Sequence, residues 1–225
     1  MEKEFNEKEG LELINSMILT ARNNLQKGMG SIFLLWGYLI AFISILILIL
    51  LITLPHGKEY FAFYSWFLMP LALPVHYRLL KRMEGLQLVR TYIDRVMTYV
   101  WVAFGISCFL LIMGMLVFTL SRLSTLDPGV PGYVHILWSH WDMVIPIMLI
   151  LYGFALFVSG KSYRFKPLVV GSIVCWLFPL VIFVLANLRH YMEFQMIALF
   201  VSILCGYIIP GHLLQAKDKE HVSAT

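Results

Sequence analysis

The run from His135 to Asp142 (HILWSHWD) places two imidazoles and a carboxylate within eight residues. Neutral imidazole nitrogen and carboxylate oxygen are the groups that zinc and related divalent ions accept. His135, His140 and Asp142 are therefore the candidate metal ligands, although their spacing matches no strict motif such as HExxH. Ser139, His140 and Asp142 are also the residue types of a hydrolytic triad. A triad is a geometry rather than a run of neighbours, so adjacency carries little. The chain has no GxSxG elbow, no phosphate-binding glycine loop and no paired carboxylates on a helix face. No catalytic residue and no cofactor are expected, and the chain reads as a non-enzyme.

The remaining reactive groups are scattered. His56 and His190 stand near Glu59 and Glu193, while His76 and His212 close two apolar runs. Cys108, Cys175 and Cys205 each lie inside an uncharged stretch and lack metal-ligand spacing. They read as small packing residues rather than a disulfide framework.

The elements that must position these groups follow from composition. Of the 225 residues, 60% are hydrophobic and 13% charged, against roughly 25% charged in a soluble domain. That much apolar surface exceeds what a soluble core of this size can hide, so lipid must be part of the solvent. Basic residues are dispersed between apolar runs, without the basic stripe of a nucleic-acid protein.

A hydrocarbon layer of about 30 Å takes roughly 20 apolar residues as a helix. Residues 28–57, 60–77, 96–121, 143–160, 167–188 and 194–216 contain no Asp, Glu, Lys or Arg. These gaps predict spans at 31–54, 60–77, 97–120, 142–160, 167–187 and 192–211. The fold class is thus an all-α membrane protein, a six-transmembrane-helix bundle. Pro70 and Pro74 lie within the second span and remove backbone donors there. Pro146 falls in the first turn of the fourth, where proline is favourable.

Orientation follows from cation placement, because Lys and Arg are retained on the cytoplasmic side. Fourteen of the 17 Lys and Arg fall in the leader, the 78–95 segment, the 161–166 segment and the tail. Lys58, Arg122 and Arg189 are distributed one to each remaining connection. The alternation predicts a cytoplasmic (inner) membrane protein with both termini cytoplasmic. No cleavable signal peptide is expected, since the first apolar run is too long for one.

Residues 1–30 form the predicted leader, with Leu11, Ile14, Ile18, Ala21 and Leu25 recurring on one face of an amphipathic cytoplasmic helix. Residues 31–211 form the transmembrane domain and 212–225 the cytoplasmic tail. Between spans three and four, Asp127-Pro128-Gly129 and Pro131-Gly132 are turn chemistry, and the uncharged stretch 133–138 predicts a short interfacial or re-entrant element. Small residues four apart let helices approach closely. Gly37 with Ala41, Ala103 with Ser107, Gly171 with Cys175 and Ser202 with Gly206 fit this pattern.

Three stretches, Ala21-Arg-Asn-Asn-Leu-Gln-Lys-Gly28 leading to Phe33-Leu-Leu-Trp-Gly-Tyr38, Arg164-Phe-Lys-Pro167 and Gly206-Tyr-Ile-Ile-Pro-Gly211, carry a resemblance over most of the chain. They resemble an uncharacterised family of small bacterial multi-pass membrane proteins. The resemblance implies a bacterial cytoplasmic-membrane location and assigns no functional residue.

With no charge placed near the middle of any span, proton relays and pumps lose their usual marker. The expected role is a non-enzymatic accessory, sensor or regulatory membrane component. Its expected partners are the lipid bilayer, and either a protein docked on the N-terminal helix or a second copy; nucleic acid is excluded. The alternative is a small permease or channel for a weakly polar or lipid-like solute.

Overall fold

The computed structural model describes residues 10–12, 28–55, 58–86, 92–186 and 190–223. The predicted leader, residues 1–30, lies outside the described residues, apart from a helical fragment at 10–12 and residues 28–30, which open the first long helix. Among the described residues the chain is helical throughout, with no strand.

Helix α1 (Met29–Thr53) starts at Gly28, whose φ of 80° is the left-handed region that glycine enters freely. It stops at Leu54, whose N–H closes on Leu50 O at 2.9 Å before Pro55 blocks continuation. The chain then forms a 3₁₀ helix, Glu59–Ala72, which passes into α2 (Leu73–Leu86). Next come α3 (Tyr92–Thr125), α4 (Tyr133–Trp138), a 3₁₀ corner (Ser139–Met143) and α5 (Val144–Ser162). Helices α6 (Lys166–Val184) and α7 (Tyr191–Ile203) follow, then a π-helical segment (Leu204–Ile208) and α8 (Ile209–Ser223).

Among the described residues, five helical stretches are long and apolar enough to cross a membrane: Met29–Thr53, Arg95–Thr125, Tyr133–Ser162, Lys166–Val184 and Tyr191–Lys217. The predicted second span, 60–77, is divided between the 3₁₀ helix and α2, each of 14 residues. Proline accounts for the change of helix type. Pro70 and Pro74 offer no N–H, and in α geometry each ring clashes with the carbonyl four residues back. The 3₁₀ register also sets Phe61, Tyr64 and Phe67 three residues apart in one exposed file, while Ala62 and Ala72 are buried.

A second departure from α geometry has a similar cause. Pro210 cannot donate to Gly206 O and would clash with it in an unbroken helix. The turn immediately before it widens into the π segment at Leu204–Ile208.

Helix α1 packs against the 3₁₀ helix, α7, the π segment and α8, while α5 and α6 form a closely packed hairpin. Ile40, Ile43, Ile47, Leu149, Leu156 and Ile203 form part of the buried core at 0–1% exposure. Lipid tails are as apolar as these side chains, so the association rests on close packing rather than water exclusion. Glycine makes the packing close. A Cβ on Gly171 would stand 2.5 Å from Gly206 Cα, and one on Gly30 would stand 2.8 Å from Gly211 O. Gly37, Ala41, Gly171, Cys175, Ser202 and Gly206 are all buried in the bundle, so three of the four small-residue pairs serve intramolecular contacts. The fourth lies on α3, where Ala103 is exposed.

The α5–α6 connection is a Schellman closure. Phe165 N–H reaches Gly160 O at 2.8 Å and Arg164 N–H reaches Lys161 O at 3.2 Å. Arg164 occupies the left-handed position (φ 51°) that glycine usually takes.

Helix α3 is set apart. None of its apolar window is buried, and it packs chiefly on α5 and α4. Its N-terminal half is held by rings: Trp101 meets Phe33 edge-on at 5.9 Å, and Phe104 meets Tyr152 at 4.8 Å. Tyr207, presented by the π segment, completes this cluster against Phe33 and Tyr152.

Candidate functional site

The opposite end of α3 is held by polar atoms, and it is here that the predicted ligands collect. The connection folds as the turn residues dictate: Gly129 N–H donates to Asp127 Oδ1 at 2.9 Å, and Val130 N–H to Asp127 O at 3.1 Å. Gly132, at φ 77°, then starts α4. The 3₁₀ corner that follows points His140 and Trp141 at α3.

Thr119, 6% exposed, is the hub. Its hydroxyl donates to Met115 O at 2.9 Å, one turn back on the same helix. It accepts from Trp141 Nε1–H at 2.9 Å. His140 Nε2 lies 2.8 Å from the same oxygen and 3.2 Å from Met115 O. The one hydroxyl proton is committed to the carbonyl, so the imidazole proton sits on Nε2 and donates. Thr119 then uses its donor and both lone pairs. Phe118 packs edge-on to the His140 ring at 4.8 Å, with the Arg122 guanidinium 5.1 Å over Phe118.

His140 Nδ1, on the other side of the ring, is buried and has no hydrogen-bond partner among the described residues. Tyr191 Oη is buried nearby, with the Gln195 side chain as its polar neighbour. Asp142 lies between these groups: its carboxylate is within electrostatic reach of His135 and His140 and acts on Tyr191. Gln195 Nε2 donates to Asp142 O at 3.0 Å and ties the corner to α7. One turn earlier on the same face of α7, Tyr191 starts the helix. His190 turns outward and pairs with Glu193 at 3.0 Å.

His135, His140 and Asp142 therefore share one end of the bundle, but they have different tasks. His140 is a latch to α3, Asp142 joins α7 through its backbone, and His135 is exposed. Among the described residues, no group of three or more His, Cys, Asp or Glu is arranged to hold a metal ion. The sequence reading missed Thr119, Met115 and Gln195. The available signal was a threonine and a glutamine inside largely apolar stretches, which must find partners when buried.

Along the first half of α1, two imidazoles meet aromatic side chains. Trp36 Nε1–H donates to His76 Nδ1 at 3.1 Å, and Tyr38 Oη lies 2.7 Å from His212 Nε2. These pairs hold α2 and α8 against α1. Between α1 and α7 there is a groove of about 190 Å³ lined by Ser44, Ile45, Leu48, Met196, Ile197 and Phe200. The Ser44 hydroxyl is spent on Ala41 O at 2.8 Å, so the groove presents hydrocarbon. Against known proteins, the chain matches no family model, no curated protein and no solved structure.

Proposed function

We propose that this chain is a six-pass protein of the cytoplasmic membrane, with both termini on the cytoplasmic side, acting without catalysis as a sensory or accessory component. Five passes correspond to the long apolar helices. The sixth is the 3₁₀–α2 unit: at about 2.0 Å rise per residue, a 14-residue 3₁₀ helix extends about 28 Å, close to the hydrocarbon thickness. This unit follows α1 in the antiparallel sense, with His76 at Trp36 and Met83 at Gly28.

The observation that carries the sensory reading is the attachment of α3. Its apolar window buries nothing, and its outer end is tied to the corner through Thr119, His140 and Trp141. A change at the exposed corner therefore acts directly on a helix that the bundle holds weakly. The apolar core that buries Ile43, Ile47, Leu149 and Leu156 completely favours this reading over a permease.

The test is a distance measurement on the full chain in lipid nanodiscs, with spin labels at Leu116 on α3 and Ile150 on α5. Thr119→Val removes the hub while keeping its shape, and should broaden the distance distribution toward longer values. A distribution identical to wild type would overturn the latch. Thiol-reactive probes that fail to cross the membrane should label K58C from outside and K81C only from within.

A further inference from the structure

From helix α2 we infer a binding surface for acidic phospholipid headgroups, formed by Arg78, Lys81 and Arg82. The inference rests on the membrane-spanning reading above and goes beyond it by naming a ligand class.

One face of α2 is committed to the protein. His76 accepts from Trp36 at 3.1 Å, and Met83 lies against Gly28, where an added Cβ would meet Met83 Cγ at 2.7 Å. With Leu79, these residues recur at i, i+3 and i+7, the register of one helix face. At about 100° per residue, Arg78, Lys81 and Arg82 share an arc of about 100° on the other side. All three are exposed.

Two other cations at this end of the bundle have intramolecular ring partners: Lys161 stands 5.6 Å from the Phe157 centroid and Lys217 stands 4.9 Å from the Phe165 centroid. Among the described residues, Arg78, Lys81 and Arg82 have no ion pair and no ring contact. Arg78 and Arg82 are four residues apart, so their guanidinium groups are neighbours one turn apart. Planar guanidinium forks match phosphate oxygens bidentately, and Lys81 adds a point charge beside them.

The occupant is a membrane lipid rather than a soluble anion because of what surrounds the charge. Leu73, Val75, Tyr77 and Leu80 are 54%, 42%, 66% and 40% exposed on the same short helix. A free phosphate would leave those side chains in water. A phospholipid places its phosphate at the cations and its glycerol and acyl region along the apolar residues and the exposed file of Phe61, Tyr64 and Phe67. The helix is also fixed by its packed face, so the three charges are held in place before a lipid arrives.

The experiment uses the purified full chain in mild detergent, titrated with phosphatidylglycerol or with phosphatidylcholine, and counts retained lipid by native mass spectrometry. Wild type should retain phosphatidylglycerol in preference to phosphatidylcholine. The triple variant R78Q/K81Q/R82Q should lose that preference, with affinity reduced on the order of tenfold or more. A control, K161Q/K217Q, should keep it. Circular dichroism of each variant separates lost binding from lost folding; if the triple variant unfolds, single variants replace it. Equal retention of both lipids by wild type, or undiminished preference in the variants, would overturn the inference. Displacement of the lipid by millimolar inorganic phosphate would also overturn it by identifying a soluble-anion site. Labelling of K81C from outside would sink the topology instead, a result separable from any lipid count.

Discussion

At the residue scale, the sharpest demands come from backbone contacts that allow no side chain. Gly171 lies against Gly206 Cα and Cys205 O, which cannot swing aside as a flexible side chain would. Gly171→Ala should force α6 from the π segment and cost about 1–3 kcal/mol, read as a lower melting temperature in detergent. Gly105 and Gly114 on α3 have nothing within 4 Å of an added Cβ. Alanine at either position should be neutral or stabilising by up to about 1 kcal/mol, because glycine is a poor helix former. Arg164→Gly should also stabilise, by up to about 1 kcal/mol, since the left-handed conformation penalises any Cβ. The three measurements together separate steric, propensity and conformational contributions within one bundle. His140 and Asp142 were visible in the sequence as chemistry-bearing residues. Thr119, the atom that gives His140 its task, is 21 positions upstream in an apolar run, and only the fold brings the two together.

At the element scale, prolines decide where α geometry gives way. Pro70 and Pro74 accompany the 3₁₀ stretch, and Pro210 the π segment. Pro210→Ala restores the missing N–H and should let 204–208 return to α register. Tyr207 would then rotate away from Trp101, and the Trp fluorescence of the Pro210→Ala chain should shift relative to wild type. An unchanged spectrum would mean that packing against Gly171, rather than proline, holds the segment open. The charge gaps foretold where the long helices lie, and Asp127-Pro-Gly foretold the turn before α4. The helix types were not legible in the gaps. Hydropathy reports how apolar a stretch is, whereas 3₁₀ and π geometry depend on which carbonyls a proline leaves unpaired and what packs beside them.

At the scale of the whole molecule, α1 with the 3₁₀ unit, the α5–α6 hairpin and α7–α8 form a packed body, and α3 rides on its flank. The two attachments of α3 differ in kind. The ring cluster at Trp101 and Phe104 is apolar and tolerates sliding, whereas the hydrogen bonds at Thr119 demand a set position. Thr119→Val should therefore free the C-terminal half while leaving the N-terminal half in place, and hydrogen exchange should rise above residue 110 more than below it.

The length of α3 has a further consequence. Thirty-four residues at 1.5 Å each make a rod of about 51 Å, far longer than a hydrocarbon layer of about 30 Å. On the spanning proposed above, a rod with little of its surface claimed by neighbours should match the membrane by leaning, at an angle set by acyl chain length. In lipids with longer tails it should stand more upright and pull on the Thr119 anchorage. In shorter ones it should lie over, so that the corner at His140 feels bilayer thickness mechanically.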